Sequence, residues 1–276
     1  DSSIIRIIKQ ESKVYIMSNM NKSSKYEMDM CNGPLLSKIL IFSIPLMLSG
    51  LLQLTFNAAD IVVVGRFAGK EALAALGPTS SLTNLFVNVF MGLSIGANVL
   101  VARFYRAGQK KALDDMVHTA ITTALVSGLI LVVLGVGLAR PALTLMDTPE
   151  NVIDQSVIYM QIYFAGMPVM MLYNFGSAIL RAIGDTKRPL YYLMVAGVLN
   201  VLLNLLFVVV FHMGVAGVAL ATVLSQVVSA GLVIRCLILN DGSIKLDLRK
   251  LRIVPDKLIK MIRIGVPAGL QGAMFS

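Results

Sequence analysis

Apolar residues occur along this chain in runs that are long enough to cross a membrane, separated by short polar and basic segments. A helix needs about 20 apolar residues to traverse the roughly 30 Å hydrocarbon core of a bilayer. Helices are predicted because open strands cannot satisfy their backbone polar groups in lipid. Six runs have this length, and a seventh begins near Leu258 and continues to Ser276. The six are Ile39–Val64, Ser80–Ala102, Val117–Leu138, Ser156–Leu180, Leu190–Met213 and Val215–Ile234.

The composition agrees with this pattern. Hydrophobic residues make up 57% of the chain and charged residues only 14%, whereas about 25% of the residues of a soluble domain are charged. We therefore predict an all-α integral membrane protein. Within the fourth run, Gly166 and Pro168 mark a candidate bend.

The net charge of +9 is distributed unevenly between the two sides of the predicted bundle. If the N-terminus is cytoplasmic and the six spans alternate, the cytoplasmic side carries 21 Lys and Arg residues and the other side 3. This asymmetry follows the positive-inside rule for a multi-pass protein of the plasma membrane. The basic charge is thus a topology signal, and nucleic acid is not an expected partner. The cytoplasmic segments are 1–38, 103–116, 181–189 and 235–263.

A short internal repeat indicates a larger protein. Lys38–Gly50 aligns without gaps with Lys260–Gly272, and four of the thirteen positions are identical. Six spans separate the copies, so both copies point the same way, as in transporters built from parallel repeats. The full protein would then have roughly twelve spans. Chance similarity between two helix starts is the alternative.

The repeat gives a domain division. We expect a disordered cytoplasmic extension at 1–33, a six-helix transmembrane lobe at 34–239, a cytoplasmic inter-lobe loop at 240–257, and the truncated start of a seventh helix at 258–276.

Asp60 is the only carboxylate in the long apolar runs. A charged side chain at membrane depth costs about 2.5–3.5 kcal/mol on insertion scales. With Ser49, Gln53 and Asn57 it forms a stripe on one helical face, which should face protein or a water-filled cavity. No Lys or Arg lies in the other spans to pair with it. Protonation or cation binding would satisfy such a group.

Other spans carry polar residues with helical spacing. Asn200 and Asn204 lie one turn apart on one face of the fifth span, and Thr222 lies in the sixth. Such residues either ligate an ion or form interhelical hydrogen bonds, which contribute about 0.6 kcal/mol each. The candidates for lining a substrate cavity are Gln53, Asn57, Asn174 and Met171.

The chemistry of an enzyme is missing from the predicted spans. Cys31 and Cys236 imply no disulfide framework and show no metal-ligand spacing. An intramembrane enzyme would need a nucleophile or a metal pair at depth. His118 and His212 lie near the ends of their spans, and the predicted spans hold no Cys pair or second acid to supply it. We expect no enzymatic activity, no cofactor, and no metal other than Na⁺ at Asp60.

Over about Pro34–Ser276, the chain resembles the multidrug and toxic compound extrusion (MATE) family. The similar features are N-A-A-D-I-V-V-V-G-R (Asn57–Arg66), L-R-A-I-G-D-T-K-R-P (Leu180–Pro189), N-V-L-L-N-L-L-F (Asn200–Phe207) and G-V-A-G-V-A-L-A-T (Gly214–Thr222). Their order and spacing make the resemblance specific. It implies a V-shaped antiporter of two six-helix lobes, acting as a monomer.

The resemblance also implies a cation site in the first lobe, at Asp60, Asn200, Asn204 and Thr222. Many relatives have an acid where this chain has Asn204. That departure leaves one carboxylate in the site, weakens a two-carboxylate Na⁺ site, and favours H⁺ as the coupling ion.

The expected function is export of amphipathic, cationic drugs or toxic small molecules in exchange for H⁺ or Na⁺. The alternative is a lipid-linked saccharide flippase of the same superfamily. A flippase would be expected to line its cavity with basic residues to hold a phosphate, and the predicted spans contain none.

Overall fold

The computed structural model describes residues 35–240, 242 and 244–274, although a few side chains in this range, mostly between residues 71 and 89, are outside the described set. The extension predicted at 1–33 therefore lies outside the described residues. Every regular element of the described part is helical. Its α-helices are α1 Leu35–Val63, α2 Lys70–Arg106, α3 Lys110–Leu145, α4 Glu150–Ala165, α5 Met167–Ala182, α6 Lys187–Asn204, α7 Gly214–Ile238 and α8 Pro255–Met274.

These helices cover nearly all of the six predicted spans. By length and mean hydropathy, four helical segments of the described part are able to cross a membrane, and the pair α4 and α5 counts as a fifth span. The second predicted span lies within α2, whose 37 residues extend about 55 Å. The predicted all-α membrane fold is confirmed. The four segments are Leu36–Ala68, Lys110–Leu145, Lys187–Val210 and Gly214–Ile238.

The fourth span is bent near its middle, as the sequence predicts. The axes of α4 and α5 differ by 47° on either side of Gly166. Pro168 follows in the first turn of α5, where its missing N–H removes no helical hydrogen bond. A Cβ at Gly166 would overlap the side chain of Val223, so the glycine also lets α7 approach the bend.

The hydrophobic core lies between α3, α4, α5 and α7, with α2 along one side. The helix α1 lies outside this core. In the most apolar stretch of Leu36–Ala68, only 6% of the residues are buried. The main packing partner of α1 is α6. The large side chains buried completely include Met116, Leu131, Met160, Phe164, Met167, Phe175 and Ile179.

The most extensive contact between two described helices joins α2 to α8. Glycines permit it: a Cβ at Gly92 would overlap the backbone of Gly265 and Gly269, and a Cβ at Gly96 would overlap the backbone of Met261. Small residues that let two backbones approach closely are typical of packing between membrane helices. The helix α8 begins at Pro255, three residues before the predicted start, and proline is preorganised for a first helical position.

The segment between α7 and α8 is hydrogen-bonded to the start of α3. The N–H of Asp247 donates to Nε2 of the buried His118 at 3.2 Å, and the N–H of Val254 donates to Thr119 Oγ1 at 3.1 Å. These bonds satisfy backbone donors at two points of a segment whose described residues contain one short helical turn, Leu248–Lys250.

Ionic contacts hold the same segment. Arg252 pairs with both Asp114 and Asp115 in the first turns of α3. The ammonium of Lys257 lies 4.3 Å from the ring centroid of Phe104 in α2, a cation–π arrangement. The segment and the start of α8 are thus attached to the ends of α2 and α3. We call this end of the helix bundle, which carries residues 103–116, 181–189 and 235–263, the basic end.

Glycine substitutions test the contact between α2 and α8. Gly96→Ala should destabilise the full-length protein by about 1–3 kcal/mol, because the added Cβ overlaps the carbonyl of Met261. Gly137→Ala is the matched control: a Cβ there meets nothing within 4 Å, and alanine favours a helix by about 0.5–1 kcal/mol. The midpoint of thermal unfolding in detergent should be lower than that of the wild type for Gly96→Ala and higher for Gly137→Ala. A midpoint for Gly96→Ala at or above that of the wild type would contradict the close approach.

Hydrogen exchange tests the attachment of the segment between α7 and α8. Thr119→Val removes the acceptor of the Val254 N–H, so peptides containing residue 254 should exchange faster. Thr123→Val is the control, because in the part of the chain that the structure describes the hydroxyl of Thr123 bonds within its own helix, to the Thr119 carbonyl. Mass spectrometry of exchanged peptides provides the measurement. Equal exchange in the two variants would show that the Thr119 bond does not hold the segment.

Candidate functional site

Asp60 lies in the last turn of α1, partly exposed, on the side that meets α6. One turn earlier, the ring of Phe56 lies against α6 at Gly197, where any Cβ would overlap it. Gly197 thus allows α1 to approach α6 closely. The carboxylate is placed near the C-terminal end of α6 by this contact.

A chain of hydrogen bonds joins the four residues that the sequence proposes as an ion site. The amide nitrogen Nδ2 of Asn204 donates to Asp60 Oδ1 and, at 3.2 Å, to Asn200 Oδ1. The Nδ2 of Asn200 donates to Thr222 Oγ1 at 3.3 Å, and that hydroxyl donates to the Val218 carbonyl at 3.0 Å. Asp60, Asn200, Asn204 and Thr222 therefore form one cluster across α1, α6 and α7. We call it the Asp60 cluster.

Asn204 occupies the centre of the Asp60 cluster. It is completely buried, and its Oδ1 has no hydrogen-bond donor among the described residues. A buried acceptor without a donor costs about 1–3 kcal/mol. The Asp60 cluster therefore has unused acceptor capacity next to a carboxylate.

No cation of the protein neutralises Asp60 in the described part. None of the ion pairs found there includes it. Its hydrogen-bond partner there is the Asn204 amide.

The position along α6 places the Asp60 cluster far from the basic end. Asn204 lies 17 residues after Lys187, about 26 Å along the helix axis. Asn204 is followed directly by the π-helical segment Leu205–Val210, and α1 likewise continues beyond Asp60 as the π-helical segment Val64–Ala68. Wide turns of this kind are frequent at functional sites.

Two tyrosines near the Asp60 cluster were not among the residues proposed from the sequence. Tyr159 and Tyr163 stack with ring centroids 5.9 Å apart, and both lie within electrostatic range of Asp60. Their spacing of four residues puts them on one face of α4. That spacing was visible in the sequence, but nothing in the sequence showed that this face of α4 turns toward α1.

The proposed substrate-cavity residues are not together. Gln53 and Asn57 lie on the exposed face of α1. Asn174 in α5 is half-buried, and its Nδ2 donates to the Met170 carbonyl of its own helix at 2.8 Å. Met171 has no exposed surface and packs within the hydrophobic core, so in this structure it lines no open cavity.

The described residues contain no group of three or more His, Cys, Asp or Glu side chains that could hold a metal ion. The oxygens of the Asp60 cluster come from one carboxylate, two amides and one hydroxyl. Such hard oxygen donors suit a proton or an alkali cation, whereas transition metals prefer nitrogen and sulfur ligands.

Comparison with known proteins points to one family. A model of the MatE family matches residues 45–206. The chain is 33% identical over 243 residues to the probable multidrug resistance protein YoeA of Bacillus subtilis, covering 86% of this chain and 52% of that protein. It is 28% identical to the probable multidrug resistance protein NorM of Thermotoga maritima, covering 87% of this chain and 52% of that protein.

Solved structures agree with the sequence comparison. The chain matches an outward-facing multidrug resistance MATE transporter with a TM-score of 0.79 and 26% identity, over 85% of this chain and 52% of the other. It matches an inward-facing multidrug resistance MATE transporter with a TM-score of 0.74 and 25% identity, over 79% of this chain and 50% of the other. The chain spans about half the length of the curated relatives it matches.

A compensating pair of substitutions tests the packing that positions Asp60. Gly197→Ala should lower the melting temperature of the full-length protein, because its Cβ overlaps the Phe56 ring. Adding Phe56→Leu should restore part of the loss, since the smaller side chain leaves room for the methyl group. Gly231→Ala in α7, with nothing within 4 Å of its Cβ, is the control. If Phe56→Leu lowers stability equally with and without Gly197→Ala, the two residues do not contact each other.

Proposed function

Because the chain belongs to the MatE family, we propose that the full-length protein is an antiporter that exports amphipathic, cationic drugs or toxic small molecules in exchange for H⁺ or Na⁺. The observation that carries the proposal is the environment of Asp60. This carboxylate lies in a membrane-spanning helix and has an amide, and no cation of the described residues, as its partner.

Protonation of Asp60 would complete the hydrogen bonding of the Asp60 cluster. A neutral carboxylic acid and an amide form two hydrogen bonds: the amide N–H donates to the acid, and the acid O–H donates to the amide oxygen. The Oδ1 of Asn204 is the acceptor that lacks a donor among the described residues. One proton at Asp60 would therefore remove a buried charge and satisfy a buried oxygen together.

Sodium is the other ion that this set of side chains could hold. The oxygens of Asp60, Asn200, Asn204 and Thr222 are hard donors from three helices, and one Na⁺ would neutralise the single carboxylate. Because Asn204 is an amide, the Asp60 cluster carries only one negative charge. A single charge binds Na⁺ less strongly than a pair of carboxylates would, which favours H⁺ as the coupling ion.

Coupling requires that the two conformations of the transporter differ in their affinity for the ion. The ion can shift the conformational equilibrium only by that difference. The Asp60 cluster joins α1 to α6 and α7, so a movement of α1 would change the partners of the carboxylate. The large exposed surface of α1 supports such a movement, because few contacts with the described helices restrain it.

We propose that the basic end faces the cytoplasm of a bacterial cell, with the N-terminus on the same side. The excess of Lys and Arg at this end supports the orientation. The Asp60 cluster would then lie in the outer half of the membrane. Gln53 and Asn57 on the exposed face of α1 are the residues of this chain that we assign to the substrate cavity, where a second lobe would face them.

Asp60→Asn should abolish coupled transport while the protein remains folded. The amide keeps the size of the side chain but cannot gain or lose a proton or supply a negative charge. Efflux of a cationic dye by the full-length protein in proteoliposomes is the measurement, together with the melting temperature. Transport by Asp60→Asn at the wild-type rate would refute the proposed role.

Asp154→Asn is the matched control for charge. Asp154 is exposed in α4 and pairs with the exposed Arg140 at 3.3 Å, so its removal should leave transport unchanged. Dissipating the H⁺ and Na⁺ gradients separately identifies the ion, and we expect loss of the H⁺ gradient to stop efflux. If efflux persists without either gradient, the antiport mechanism is wrong.

A further inference from the structure

A cavity at the basic end lies between the start of α6 and the end of α7, far from the Asp60 cluster. It has a volume of about 310 Å³, and its lining includes Arg188 and Tyr192 from α6, Leu232 and Arg235 from α7, and Leu239, the first residue after α7. In both helices these residues are three, four or seven positions apart, so each helix contributes one continuous face. We call this space the basic-end cavity.

Arg188 is held in a fixed position at the basic-end cavity. Its backbone N–H donates to Asp185 Oδ1 at 3.1 Å, and its Nε donates to the other oxygen of the same carboxylate. Asp185 is completely buried. The Nη1 of Arg188 also donates to Cys236 Sγ at 3.1 Å. The guanidinium is therefore oriented before any ligand arrives, and its charge is matched by Asp185.

Two further residues of the basic-end cavity, Arg235 and Asn240, have donors for which no acceptor is found in the described part. The side chain of Arg235 is exposed in the last turn of α7, and no ion pair or hydrogen bond to it is found among the described residues. Asn240, which also lines the cavity, accepts the Gly242 N–H with its Oδ1 at 2.7 Å. Its Nδ2 thus remains as a donor, with no acceptor found in the described part. The surplus charge of the cavity is positive, so the matching ligand is an anion.

The cavity also has an apolar side. Leu239 is 65% exposed, and Leu232 lies two turns before it on the same face of α7. A free inorganic anion gains nothing from such a wall, whereas a phosphate that carries acyl chains would place the chains along it. Arginine matches phosphate well, because its planar fork donates two hydrogen bonds.

We propose that the basic-end cavity binds the phosphate headgroup of an anionic phospholipid of the cytoplasmic leaflet. Arg235 supplies the attracting charge, Asn240 adds a neutral donor, and Leu232 and Leu239 contact the start of an acyl chain. The proposal uses the orientation given above, with the basic end at the cytoplasmic surface. Basic pockets between membrane helices on that side are a general means of binding lipid headgroups. The lipid would lie on α6 and α7, the two helices that also carry Asn204 and Thr222.

Lipid retention by the purified full-length protein tests the proposal. The probes are phosphatidylglycerol and phosphatidylcholine with identical acyl chains, titrated in detergent and counted by native mass spectrometry. Wild-type protein should retain phosphatidylglycerol in preference to phosphatidylcholine. Arg235→Gln should weaken its binding about fivefold, as expected for the loss of one basic residue near a membrane surface. Arg235→Lys, which keeps the charge, should retain part of the phosphatidylglycerol binding that Arg235→Gln loses.

Arg103→Gln is the matched control, because Arg103 is also an exposed arginine in the last turn of a helix at the basic end. It lies outside the lining of the basic-end cavity. Equal losses for Arg103→Gln and Arg235→Gln would overturn the proposal and indicate general attraction to basic charge. Displacement of the lipid by millimolar inorganic phosphate, with the same dependence on Arg235, would overturn the assignment to a lipid. Binding is measured without transport, so failure here would leave the dependence of transport on Asp60 untouched.

Discussion

A carboxylate in a membrane-spanning helix has to be satisfied from within the protein, and this requirement determines how α1 lies on α6. Asp60 is bonded to the buried Asn204, which is bonded to Asn200, which is bonded to Thr222. An amide side chain has only two N–H donors. In the low dielectric of the protein interior, a polar group left without a hydrogen bond is costly, so the loss of one bond in this chain would leave its partner unsatisfied. The absence of a side chain at Gly197, where the Phe56 ring packs, lets α1 and α6 come close together.

The same arrangement separates a rigid part of the molecule from a part with fewer restraints. The core helices bury a set of large side chains between them, and the segment after α7 is attached to α2 and α3 by hydrogen bonds, ion pairs and a cation–π contact. By contrast, α1 is exposed over most of its length and contacts mainly α6. On our proposal, the bond between a titratable group on the weakly restrained α1 and amides on α6, which packs against α7, is the physical basis for coupling ion binding to movement.

The two ends of the bundle use charge differently. At the end with the Asp60 cluster, one carboxylate lies among amides and a hydroxyl, so its charge can be neutralised by an ion that comes and goes. At the basic end, the buried Asp185 already has Arg188 as a permanent partner. The positive charges left over at that end are at the surface, where, on our proposals, they set the orientation in the membrane and hold a lipid headgroup.

Much of this protein was determined by its sequence alone. Runs of about 20 apolar residues have one solution in lipid, the helix, so the type and order of the elements followed from the pattern. The bend at Gly166 and Pro168 followed from backbone chemistry, and Asp60 was conspicuous as the one acid in an apolar span. The grouping of Asp60 with Asn200, Asn204 and Thr222 came from the family resemblance, since helical spacing places residues on a face but does not say which helix that face meets.

Tertiary packing decided the rest. It put Met171 into the core, although its sequence position suited a cavity equally well, because burial depends on neighbours from other helices. It brought Tyr159 and Tyr163 near Asp60, and it left Asn204 with an acceptor unused among the described residues. It also attached the loop after α7 to His118 and Thr119, more than 120 residues away in the chain. Contacts of this kind depend on how the helices are rotated and how closely they approach, which periodicity within a single helix does not encode.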